Sequence, residues 1–210
     1  MNNEKIHNPV TGETLYVLES NEKVFRFEFA IEPGCEIAAE HVHPTQEQQI
    51  HVIEGELMVR VNGADQILKP GQTAVIPAGV PHFQANRTDR PVRAIEEHRP
   101  AGKAHDFFRV AFALAREGLT DDAGVPKPLI GAALMSEFNG FVRPTSVWLR
   151  FLFAVLGPIS GLLGHRRIIR RYIFEGEKAD IQRSRLIDIT EFSLSKPSIR
   201  RPRAVPVMTE

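Results

Sequence analysis

From Thr14 to about His98 the chain is written in short apolar runs of period two. "TLYVL", "VFRFEFAI", "IHVI", "ELMVRVN", "DQILK", "TAVIPA" and "VRAIEEH" are rich in β-branched and aromatic residues. Turn formers in "NPVTGE", "EPGC", "NGAD", "KPGQ" and "PAGVP" flank and separate them. Many short strands at close intervals predict a β-barrel or sandwich over residues 1–100. Asn62-Gly63 supplies the two positive-φ positions of a type I′ hairpin turn.

After Pro100 the apolar period changes to about 3.6, which predicts a helical extension over residues 101–175. "AHDFFRVAFALAREG" places Phe107, Val110, Ala111, Leu114 and Ala115 on one stripe and offers Gly118 as a stop. A second helix is expected in "LIGAALMSEF", and both helices are expected to pack on the barrel. From about Lys178 the pattern is lost. Residues 176–210 are Pro- and Arg-rich and predict a basic, mobile tail, with "RLIDITEFSL" making at most one strand or helical turn.

Inside the extension, residues 147–164 read "VWLRFLFAVLGPISGLLG", with Arg150 as their one charge. The uninterrupted part, Phe151 to Gly164, is 14 residues long and carries Pro158 in its middle. A span needs roughly 20 apolar residues. The run is therefore expected to bend at "GPISG" and enter one leaflet with both ends cytoplasmic, with burial on the barrel or in a homodimer as the main competing arrangement and a membrane span as the third.

Charge sharpens this picture. The net charge is zero, yet residues 1–139 hold 13 Lys and Arg against 20 Asp and Glu, whereas residues 140–210 hold 13 against 6. A basic C-terminal third beside an apolar run suits an anionic membrane surface contacted through residues 141–171. Aromatic residues do not interleave with these arginines, so no nucleic-acid partner is expected. A lone cysteine, Cys35, and the lack of a secretory pattern before the first strand predict a cytoplasmic protein, attached at most to the cytoplasmic face of the membrane.

Candidate chemistry lies between Gly34 and Asn86. His41 and His43 stand two apart, so an extended strand presents both on one face, and His82 must arrive from another strand. In "EQQIHVI", Gln48, Ile50 and Val52 share one face and Glu47, Gln49 and His51 the other. A barrel interior takes Ile50 and Val52, so Gln48 points in and Glu47 out. The predicted metal set is His41, His43, His82 and Gln48, with Glu47 as the alternative to Gln48. An uncharged set of this kind suits Fe(II), Zn(II), Ni(II) or Cu(II), and spacing does not choose among them; Fe(II) is favoured for the oxidation expected below, with Mn as a further occupant. By the same alternation Glu96 and His98 share a face with Val92 and Ala94, which makes them candidate catalytic acid and base if that face is the interior.

Gly71, Pro77, Gly79, His82 and Asn86 meet the second motif of the cupin superfamily without a gap, and Gly34, His41, His43 and Gly55 meet most of the first. The chain thus resembles a small single-domain bacterial cupin with a helical, apolar C-terminal extension. "HNPVTGE", "RFEF", "HVHP" and "FFRVAFALAREG" through "PKPL" extend the likeness over about residues 7–165. The resemblance implies a mainly β fold, a single-cupin jelly-roll β-barrel followed by helices, and a homodimer. Where its first motif expects Glu, this chain has Gln48. The function expected is a metal-dependent, dioxygenase-type oxidoreductase acting on a small, fairly apolar organic molecule. The rival is a non-enzymatic module that binds or senses such a ligand.

Overall fold

A computed structural model describes residues 4–194. Two antiparallel sheets face each other across an apolar interior. One sheet has the order β1-β2-β3-β10-β5-β8, built from β1 (Lys5–His7), β2 (Thr14–Ser20), β3 (Phe25–Ile31), β10 (Val92–Arg99), β5 (Glu47–Glu54) and β8 (Thr73–Ile76). The other has the order β11-β4-β9-β6-β7, from β11 (Arg143–Pro144), β4 (Glu36–Val42), β9 (His82–Ala85), β6 (Leu57–Val61) and β7 (Ala64–Leu68). This agrees with the barrel or sandwich that the strand pattern predicts and with the jelly-roll β-barrel that the resemblance implies.

Alternation fixes which side chains enter the barrel. In β3 every second residue is buried, so Phe25, Phe27, Phe29 and Ile31 form an inner wall. β10 alternates in the same way, but its inward residues are Val92, Ala94, Glu96 and His98, two apolar and two polar. Burying a carboxylate and an imidazole costs several kcal/mol unless they find partners. The β6–β7 hairpin turns at Asn62 (φ 49°) and Gly63 (φ 80°), the expected type I′ geometry. At Gly55 (φ 80°) a β-carbon would lie 2.6 Å from the Pro91 carbonyl oxygen, so this turn admits glycine alone.

Four strands have no counterpart among the expected runs: β1, β4, β9 and β11. β4 reads "EIAAEHV" and lacks the β-branched alternation of its neighbours, while β9 is four residues long with all of them buried. Pairing with adjacent strands overrides weak propensity in both. His41 lies in β4, but β4 ends at Val42, so His43 sits one residue beyond it.

The extension begins with α1 (Ala104–Arg116) and α2 (Pro128–Phe138). α1 ends at Gly118 (φ 68°), where the Gly118 and Leu119 amides donate to the Ala115 and Leu114 carbonyls, as the glycine stop requires. Phe107 and Phe108 of α1 pack with Phe141 and Phe138 to close one end of the barrel.

Two expectations, one for the apolar segment and one for the tail, are corrected. The bend is not at "GPISG": α3 (Val147–Leu162) continues as helix past Pro158, and the chain turns by 84° afterwards, at Leu163 and Gly164 (φ 86°). Ser146 caps the start of α3 by accepting from the Leu149 amide, and α3 buries only Gly157 and Ser160. The second correction concerns the tail. α4 (His165–Leu194) carries helix well past residue 176 and through "RLIDITEFSL"; the remainder of the predicted tail, 195–210, lies outside the described residues. Contacts divide the chain between Phe174 and Glu175 into two units. No single helix among the described residues is long and apolar enough to cross a membrane.

Candidate metal centre

His41 and His82 are register partners on β4 and β9, which places their rings side by side, and His43 completes the group from just past the strand end. Ring centroids are 4.4 Å apart for His41 and His82, 4.9 Å for His41 and His43, and 5.1 Å for His43 and His82. One nitrogen from each ring can be chosen so that all three lie within 4.8 Å of one another. Bonds of about 2.1 Å at tetrahedral angles set two nitrogens about 3.4 Å apart, so the rings must close by up to about 1.4 Å to share an ion.

Backbone carbonyls orient all three rings. Nδ1 of His41 meets the Ala39 oxygen at 3.0 Å, Nδ1 of His43 the Phe141 oxygen at 2.7 Å, and Nδ1 of His82 the Val80 oxygen at 2.8 Å. A carbonyl only accepts, so each Nδ1 carries the proton and each Nε2 presents a lone pair. Metal-binding histidines are held in this way. The His82 Nε2 is buried and has no hydrogen-bond partner among the described residues. The Gly79 amide also donates to the His43 carbonyl at 2.7 Å, tying the loop before β9 to this histidine.

Electrostatics keep the rings unprotonated at neutral pH. Burial, followed by the neighbouring His82, lowers the His41 pKa to about 4. Burial, then the neighbouring imidazoles, pushes His43 further down, and burial also lowers His82. An imidazole must shed its proton to ligate a metal, so this donor set fits a divalent ion.

Gln48 lies inside the barrel and Glu47 does not, as strand alternation requires. Gln48 is 3% exposed and its Oε1 is buried without a partner among the described residues. Glu47 accepts from the Gln49 amide on the outer face. His51 is exposed and bonds the Thr73 hydroxyl, and Cys35 is a free, half-buried thiol beside a turn.

Glu96 and His98 both face the interior. The His98 Nε2 donates to Glu96 Oε1 at 2.8 Å, and the Gln84 amide donates to Glu96 Oε2 at 2.9 Å. Burial pushes the Glu96 carboxyl up, but these hydrogen bonds and the His98 charge outweigh it and hold the group below the usual carboxylate range. The His98 ring stands edge-on to His43 with centroids 4.8 Å apart, and its Nδ1 is buried without a partner among the described residues.

Three contributors were not anticipated from the sequence. Gln84 shares the inward face of β9 with His82, a signal the i, i+2 spacing contained. Phe141 positions His43 through its carbonyl and packs its ring on His43 and His98, with centroids 4.6 and 5.2 Å away. It belongs to the extension, so residues beyond the barrel complete the site. Glu13 is a buried carboxyl whose pKa rises to about 8 through burial and then the Glu96 charge. A raised carboxyl pKa makes stability complete below the ordinary value and erodes it as pH climbs toward 8. Glu13→Gln should therefore raise the melting temperature at pH 8 and leave it unchanged at pH 4; equal shifts at both would refute the buried charge.

Residues 27–96 match the family model described as Cupin domain. The chain is 35% identical over 68 residues to the tetracenomycin polyketide synthase protein TcmJ of Streptomyces glaucescens, covering 32% of this chain and 45% of that protein. It thus spans under half the length of this relative. Among solved structures, a sugar phosphate isomerase of the cupin superfamily from Silicibacter pomeroyi is 23% identical, with 46% of this chain and 70% of that one covered and a TM-score of 0.43. An RmlC-like cupin from Shewanella frigidimarina is 24% identical, with 48% and 86% covered and a TM-score of 0.43.

Proposed function

We propose that this chain, whose residues 27–96 match the Cupin domain model, is a cupin-superfamily, metal-dependent, dioxygenase-type oxidoreductase acting on a small, fairly apolar organic molecule. The observation that carries this reading is the set of three imidazoles fixed through Nδ1 on backbone carbonyls with their Nε2 lone pairs free. Such a set binds an ion and, having three protein ligands, leaves further coordination positions open. A bound Fe(II) ion supplies Lewis-acid and one-electron chemistry there.

The chain's own residues do the rest. His41, His43 and His82 hold the ion, and Gln48 Oε1 completes or orients the ligand set. Glu96 and His98 form a hydrogen-bonded acid–base pair beside His43, suited to taking a proton from a substrate hydroxyl or returning one. Ile50, Leu57, Val59, Phe27 and Phe141 are buried around them and keep water from the reacting atoms. TcmJ bears the name of a polyketide synthase protein, which is in keeping with a carbon-rich substrate.

Attachment to the cytoplasmic face of a membrane through 141–171 would bring lipid-soluble substrates to this barrel. α3 leaves Trp148 82% exposed and Phe151 63% exposed, and the arginines of α4 follow. A homodimer is proposed as cover for the edge strands β7 and β8, which expose Ile67 and Val75.

The test is elemental analysis of the purified protein with dioxygen uptake against small aromatic and polyketide-like compounds. Stoichiometric iron with substrate-dependent uptake supports the enzyme. A metal-free protein that still binds an apolar ligand supports the sensing module, which the neutral Gln48 favours. In the same assay Gln48→Glu adds a negative charge to the ligand set and is expected to tighten metal retention about tenfold or more; an unchanged affinity removes Gln48 from the site.

A further inference from the structure

A cavity of about 430 Å³ lies between α2, β11, α3 and the start of α4, away from the histidines. Arg143 of β11, Arg150 of α3 and Arg166 of α4 all line it. Each guanidinium is held by a neutral acceptor: Arg143 donates to the Asn139 carbonyl at 2.6 Å, Arg150 to the Pro144 carbonyl at 2.6 Å, and Arg166 to the Ser136 hydroxyl at 2.5 Å. None of the three forms an ion pair with a carboxylate among the described residues. Glu137, next to Ser136 on α2, is engaged by Lys103 at 2.9 Å and Arg170 at 3.7 Å, although its charge also reaches Arg166.

Three like charges drawn from three elements into one cavity repel one another, and an anion placed among them relieves that repulsion. Guanidinium forks match phosphate oxygens in shape and charge. Beside the arginines the lining carries two polar residues, Ser136 and Asn139, and an apolar stretch from Met135, Val142, Phe153, Ala154 and Pro158. The ligand therefore has a phosphate at one end and hydrocarbon at the other.

Helical periodicity shows where the hydrocarbon goes. Arg150, Phe153, Ala154 and Gly157 form the cavity face of α3, while Trp148, Phe151, Leu152, Val155 and Ile159 form an exposed apolar face beside it. We propose that this cavity binds the headgroup phosphate of an anionic phospholipid while the outer face of α3 rests among the acyl chains. The proposal rests on the membrane reading above and adds to it a defined headgroup site. β11, which presents Arg143, is register-paired with Val42 and His41, so the bound lipid sits one strand away from the metal centre.

Trp148 is the only tryptophan in the chain, so its emission reports insertion directly. The full chain is titrated with vesicles of phosphatidylcholine alone and of phosphatidylcholine with phosphatidylglycerol. A blue shift that saturates with the anionic vesicles is expected. Arg143→Gln or Arg166→Gln should weaken that binding about tenfold or more, the loss of a charge-assisted hydrogen bond. Arg167→Gln, exposed and outside the cavity, should cost at most about fivefold, the value of one charge near an anionic surface.

Equal losses at all three arginines overturn the headgroup site and leave membrane attachment standing. No shift with either vesicle overturns both. Melting temperatures of the variants without lipid check their folding. Independently of any variant, monomeric dihexanoyl phosphatidylglycerol should raise the wild-type melting temperature; no rise overturns the site, and an equal rise with glycerol 3-phosphate overturns the lipid source in favour of a soluble phosphate ester.

Discussion

Replacing His82 by alanine is expected to strip the protein of stoichiometric metal, lowering its affinity by two orders of magnitude or more. Of the three imidazoles, His82 is the one whose Nε2 lies buried with nothing to bond among the described residues. Its removal takes away a ligand while giving up only one internal hydrogen bond, that from Nδ1 to Val80. Metal-free stability should therefore change little, by about 1 kcal/mol for the lost bond. The stabilisation by metal should vanish. A ligand at a thousand times its Kd adds about 4 kcal/mol to the folded state, so the wild-type melting temperature should climb with added Fe(II) or Zn(II) while that of His82→Ala stays flat. A wild type that neither retains metal nor responds to it would remove the metal centre.

The pH dependence has a definite sign. Because His41 is lowered to about 4 and His43 is also depressed, the unfolded chain takes up protons first as pH falls below 6.5. Stability of the metal-free protein should then decline from about pH 6.5 toward pH 4. Bound metal competes with those protons and should shift the decline to lower pH.

Glu96→Ala is expected to cost about 3–5 kcal/mol, read as a lower urea midpoint. The substitution leaves the His98 Nε2 and the Gln84 amide facing an empty space in a dry interior, and both lose the partner that justifies their burial. Glu96→Gln keeps the shape and one acceptor and should cost much less. The carboxyl is held below its ordinary pKa, so its contribution is present above about pH 4.5 and lost as pH drops through the folded value. A cost under about 1 kcal/mol for Glu96→Ala would show that the network is not a packed part of the site.

Period and spacing alone made much of this legible. Alternation along "EQQIHVI" placed Gln48 inside and Glu47 outside, and alternation along "VRAIEEH" put Glu96 and His98 on one face with Val92 and Ala94, but only the fold shows that this face is the interior. The histidines converge as their spacing predicts, with His43 just beyond its strand. β4 and β9 were not marked by any apolar run and were expected only from the histidines they carry, since they acquire strand conformation from their neighbours and not from their own residues. Phe141 was equally hidden. Its part in the site is played by a backbone carbonyl, which every residue possesses, and only the path of the extension brings that carbonyl to His43.

The sequence by itself determined the barrel, the residues that share a face of each recognised strand and the identity of the three imidazoles, because these depend on local period and on side-chain type. Tertiary structure alone decided where the apolar segment turns, which backbone oxygens fix the rings, and that Arg143, Arg150 and Arg166 share one cavity. Those features arise between residues far apart in the chain, where no local preference reaches, so packing had to choose them.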